Sequence, residues 1–146
     1  MNFKLENYEI SRIEIKKGSS YAKDDVDCRW YDVSLNIKNK YFNYNETREC
    51  LLERELWEIY HTLNKCLNNE LDENKNLWFV EPDLELEFSC SSDENHIHLV
   101  DFQIYVNLEG IAGGDYYSFL LDEEQMIMFR DYLEKILKAK KINGGE

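Results

Sequence analysis

Three stretches of this chain alternate apolar and polar residues one by one, and that alternation constrains the fold more than any other feature. Val33, Leu35 and Ile37 are separated by Ser34 and Asn36, with Asp32 and Lys38 outside them. Leu84, Leu86 and Phe88 repeat the spacing, as do Val100, Phe102, Ile104, Val106 and Leu108. Successive side chains of a strand point to opposite faces, so each stretch has one apolar and one wet face. Strands of that kind suit an antiparallel sheet covered on one side. Residues 3–15, with Phe3/Leu5 and Ile13/Ile15, read as two strands or one bulged strand. The polar segment 17–29 reads as a loop. The aromatic segment 41–50 is predicted to pair antiparallel with 30–38 across a tight turn at Asn39-Lys40. Residues 116–120 supply the last strand.

Two segments change to the period of a helix. The first begins near Leu52 or Glu53, with an apolar stripe of Leu56, Tyr60, Leu63 and Leu67 that Trp57 and Ile59 widen. Glu53 and Glu55 sit where carboxylates favour the positive end of the helix dipole, and Asn68-Asn69 ends it. The second carries Met126, Phe129, Leu133, Ile136 and Leu137. Asp122 is its predicted N-cap, with Gln125 completing a capping box. Lys135, Lys138, Lys140 and Lys141 gather at its far end, which the dipole makes negative. The order is β-rich, α, β-rich, α. This predicts an α+β protein, mainly antiparallel sheet with two helices packed on it.

The length, 146 residues, fits a single domain spanning 1–146, with 143–146 expected to fray. One proline and six glycines leave no room for a long flexible linker. Charges interrupt the apolar residues near the start, and no segment approaches the roughly 20 apolar residues of a membrane span. The expected location is the cytoplasm. Cys28, Cys50, Cys66 and Cys90 are far apart, with no close pair to begin a zinc site, so free and mostly buried thiols are expected.

The net charge of −13 repels nucleic acid and anionic lipid and favours a cationic protein partner. Plain solubility accounts for part of it. One segment concentrates the charge. In a strand running from Glu81 through Pro82 to Phe88, the carboxylates Glu81, Asp83, Glu85 and Glu87 share a face, about 6.6 Å apart in succession. Like charges in a row are unfavourable unless water, salt or a cationic partner screens them. The ladder is therefore either a solvated strand face that discourages aggregation or a receiving surface for lysine and arginine. Adjacent aromatics, Trp30-Tyr31, Tyr41-Phe42 and Tyr116-Tyr117, put one ring of each pair outside the core. Tyr41, Tyr44 and Tyr116 are candidate contact residues, because tyrosine offers rigid contact area at small entropic cost. High strand propensity explains the same aromatics equally well.

Signals for catalysis are weak. No GxSxG elbow and no local Cys/His signature is present. Residues 110–114 are glycine-rich but lack the lysine and spacing of a phosphate loop, so they read as a turn. His96 and His98 are two apart and could point the same way, with Asp101 nearby, but two imidazoles do not make a metal site. A ligand-binding or metal-dependent enzyme centred there is the alternative to a binding protein. His61, alone on the first helix, reads as a surface or boundary residue. No cofactor is expected, and the oligomeric state is not readable.

The segments Trp30-Tyr31-Asp32-Val33-Ser34-Leu35-Asn36-Ile37 and Glu49-Cys50-Leu51-Leu52-Glu53-Arg54-Glu55-Leu56 are followed by Leu77-Trp78-Phe79-Val80-Glu81-Pro82-Asp83-Leu84. An alternating strand and a helix opening with Asp122-Glu123-Glu124-Gln125 complete the series. Over residues 30–137 this pattern resembles the WapI-type immunity proteins, with the stretch from Phe79 to Phe88 as its most specific part. The resemblance implies a protein that binds and neutralises the toxic domain of a toxin delivered between bacterial cells. Several such toxins are basic nucleases, which the acidic charge would suit. It carries over no catalytic residue, since the implied activity is binding. The loop 17–29 and the aromatic segment 41–44 look particular to this chain.

Overall fold

A computed structural model describes residues 2–3, 10–38, 40, 43–81, 83–89, 99–105 and 116–144. By internal contacts the chain divides into two compact units, Met1–Glu55 and Leu56–Glu146. Among the described residues every strand pairing is antiparallel, and the strands form two four-stranded sheets. The class is α+β, in the expected order of elements.

The first unit holds β1 (Asn2–Phe3), β2 (Ile10–Lys17), β3 (Trp30–Lys38) and β4 (Asn43–Leu52), arranged in sequence order. The alternation in β3 is realised in full. Tyr31, Val33, Leu35 and Ile37 are buried, and so are Ile13 and Ile15 beside them in β2. The register sets Ile13 against Leu35 and Ile15 against Val33. Between β3 and β4 the register slips by one residue. Tyr31 faces Leu51 but Asp32 faces Glu49, which leaves Cys50 as the extra residue of a bulge. Beyond it Leu51 and Leu52 are both buried, so the strand enters the following helix with no polar step.

The loop 17–29 contains a short 3-10 turn, Val26–Cys28, capped by the Asp25 side chain. Glu49 also helps to shape it, since its carboxylate accepts a hydrogen bond from the Ser20 N–H at 2.9 Å. That carboxylate lies so close to the Cα of Gly18 that a side chain there would collide with it, and glycine is the residue that permits the approach.

Helix α1 (Glu53–Leu67) buries Leu56, Ile59, Tyr60, Leu63 and Cys66 along one stripe. Its start lacks a side-chain oxygen at Leu52. Glu55 compensates by accepting the Leu52 N–H at 2.9 Å. Its end is a Schellman turn. Asn69 takes a left-handed φ of 58°, the Glu70 N–H reaches the Lys65 carbonyl at 2.8 Å, and the Asn69 N–H reaches that of Cys66 at 3.2 Å.

The second unit contains β5 (Lys75–Trp78), β6 (Leu84–Ser89), β7 (Leu99–Tyr105) and β8 (Tyr116–Leu121), again in sequence order. Leu77, Leu84, Leu86, Phe88 and Leu121 are buried. The backbone register pairs Val100 with Phe88, Phe102 with Leu86 and Ile104 with Leu84. Helix α2 (Glu123–Gly144) follows at once and buries Met126, Phe129, Leu133 and Leu137. Its backbone is helical through Gly144. Its capping box is complete, with Gln125 N–H donating to Asp122 Oδ1 at 2.8 Å and Asp122 N–H to Gln125 Oε1 at 3.1 Å. Helices α1 and α2 meet where Lys138 Nζ stands 5.7 Å above the Tyr60 ring. Hydrogen bonds from Lys138 to Glu134 and to Tyr60 raise its pKa. Among the described residues, no helix is long and apolar enough to cross a membrane.

Candidate functional site

The β5–β6 hairpin positions the most distinctive surface. Leu77 and Phe79 are buried while Trp78 and Val80 are 73% and 58% exposed, so the apolar run at 77–80 is itself an alternation. Trp78 stands opposite Glu85 in the register. Its indole N–H donates to Glu85 Oε1 at 2.7 Å. The ring is thus fixed at one edge and left open to solvent. Two residues on, Glu87 stands between Asn76 of β5 and Asp101 of β7. The next position across from Asp101 is Leu120, which is 54% exposed. One face of this sheet therefore carries Trp78, Glu85, Glu87 and Leu120, with Asp101 at a register position between the last two. Tyr116 pairs with Tyr105 in the backbone register.

The expected ladder of four carboxylates is corrected by this geometry. The strand begins at Leu84, and of the four carboxylates only Glu85 and Glu87 lie on it. Glu81 is exposed in the connection before the strand. Asp83 is buried next to Leu84. Tyr44 departs from its expected exposure as well. It is half-buried and stands opposite the buried Ile37, so it lies on the covered side of the first sheet. Tyr41, His96 and His98 lie outside the described residues, together with Cys90 and the turn expected at 110–114. Among the described residues no group of three or more histidine, cysteine or acidic side chains is arranged to hold a metal. Cys50 and Cys66 are buried free thiols, and Cys28 is free and exposed. A hydrogen bond to Asp25 pushes the Cys28 thiol up from its ordinary value. His61 is exposed and stacks on Trp57 at 5.7 Å between ring centres.

The open face of the first sheet is different in kind. A shallow depression of about 270 Å³ there is lined by Arg12, Glu14, Ser34, Asn36, Asn45 and Thr47. These groups largely bond one another. The Ser34 and Thr47 hydroxyls are 2.8 Å apart, Asn36 donates to Asn43 at 3.2 Å, and Glu14 is bridged to Lys16 at 2.9 Å and to Arg12 at 3.4 Å. The Lys16 contact leads in holding the Glu14 carboxyl below its ordinary pKa. A surface whose charges are matched internally has little reason to attract a charged partner. On the second sheet, Glu85 has Trp78 and Gln103, and Glu87 has Asn76 and Asp101, as register neighbours.

Trp78 was the residue least visible in the sequence. The signal was present, since Leu77 and Phe79 alternate with Trp78 and Val80, but four apolar residues in a row conceal that period.

Comparison with known families agrees with the pattern of segments. The family model described as the immunity protein WapI-like family matches residues 3–140. No curated protein matches the chain.

Proposed function

The chain belongs to the WapI-like immunity protein family, and from that footing we propose that it neutralises a cationic bacterial toxin domain by direct contact in the cytoplasm. The contact surface in this reading is the open face of the second sheet. The observation that carries it is the register on that sheet, where Glu87 stands between Asn76 and Asp101 beside the exposed Trp78 and its Glu85 partner. Like charges directly opposite on a sheet are unfavourable, and a cationic partner relieves them. Exposed Trp78 and Leu120 supply apolar contact area within the same face. Charge complementarity would speed encounter, and buried aromatic anchors would slow dissociation. No chemical step is required of the chain, because blocking the toxin's own surface is sufficient. In this reading Glu85 and Glu87 are the core of the surface, and the exposed Glu81 precedes their strand.

Co-expression with the toxin domain encoded by the adjacent gene tests the reading. Growth rescue together with co-purification is the expected result. Rescue without any stable complex would point to a catalytic antidote instead.

A further inference from the structure

We propose that Trp78 and Glu85 form a receptor for an arginine side chain of the partner, with Glu87 as a second counter-charge. The proposal rests on the immunity reading and specifies what the toxin presents to this face.

Three observations converge. Trp78 is 73% exposed, unusual for so large an apolar side chain held in a hairpin rather than in a loose loop. Its indole N–H is committed to Glu85 Oε1 at 2.7 Å, which fixes the ring edge against a carboxylate. Glu87 follows two residues later on the same face, about 6.6 Å further along the strand. A planar cation lying on the indole would have a carboxylate at its rim and a second within reach of its other edge.

Guanidinium fits that arrangement better than ammonium. It is flat and weakly hydrated, stacks on aromatic faces, and offers several N–H donors in one plane. A lysine ammonium would satisfy the charge but would lose more hydration and use the ring less. The surrounding residues favour a protein partner over a free small cation. Val80 and Leu120 are exposed apolar residues of the same unit, which a protein surface would cover while a lone ion would not. Trp78 would then be a central anchor, the kind of aromatic that dominates interface energetics.

The test uses the full-length chain, labelled with nitrogen-15, and follows the indole N–H signals of Trp30, Trp57 and Trp78. The Trp78 signal is assigned with W78F, which keeps a ring but removes the N–H. Three capped peptides are titrated, alternating glycine with arginine, with lysine or with citrulline. The expected result is saturable movement of the Trp78 signal with the arginine peptide, at least about threefold tighter than with lysine and absent with citrulline. E85Q keeps an oxygen to accept the indole N–H but removes the charge, and should abolish the preference. Equal binding of the arginine and lysine peptides, or no movement of Trp78, would overturn the proposal. Such a failure leaves toxin capture intact, whereas failure to capture the toxin removes the immunity reading itself, so the two are separable.

Discussion

Arg29 and Glu53, separated by 24 residues in sequence, meet with Arg29 Nη1 donating to Glu53 Oε2 across 3.1 Å. Their side chains are only 14% and 9% exposed. The backbone repeats the link, since the Glu53 N–H donates to the Arg29 carbonyl at 2.9 Å. Arg29 Nη2 also donates to the Lys23 carbonyl at 3.0 Å, tying the loop before β3 to the start of α1. Removing one partner would strand the other charge away from water. R29A and E53Q should each lower stability by about 3 kcal/mol, read from urea unfolding. A double variant that loses far less than the sum of the two would identify the pair as the cause.

At the other helix, the reciprocal bonds between Asp122 and Gln125 satisfy two backbone donors at the N-terminus of α2. D122A should cost about 1 kcal/mol in thermal or chemical unfolding, and D122N should recover most of it. Equal stability of D122A and the parent protein would mean that β8 alone anchors the helix start.

Tyr31 gives the chain a defined alkaline weakness. Its ring is buried and meets Tyr21 edge to face at 5.6 Å. Burial, with the negative charge of Glu53 nearby, pushes its phenol well above the ordinary value of 10.0. In the unfolded chain that phenol ionises near pH 10, while in the folded chain it stays neutral. The folded state then holds the extra proton, so this contribution is intact below pH about 10 and is lost as pH rises further. The urea midpoint should fall above pH 10 less steeply in Y31F than in the parent. Parallel slopes would show that Tyr31 ionises freely in the fold.

How much of this architecture is legible in the sequence depends on the range of the signal. Strand β3 was readable to its ends because alternation and flanking turns agree over Trp30–Lys38. The Asp122 cap was readable because it needs only residues three apart. The division into two sheets was not, since alternation reveals which face is buried but not which strand is the neighbour. The ladder 81–87 misled because its alternating letters continue through Pro82, while the strand starts only at Leu84. The Arg29–Glu53 pair joins distant segments that no local period connects.

The central claim is that the open face of the second sheet, through Glu85 and Glu87, captures a cationic toxin domain. The most direct measurement is the affinity of that domain for the parent protein and for the double variant E85Q/E87Q, at low and at physiological salt. Neither change touches the buried face, so folding should be preserved. The expected result is a Kd raised at least about tenfold in the double variant, mostly through slower association, with a weaker dependence on salt. A double variant that binds as tightly as the parent at both salt concentrations would contradict the claim.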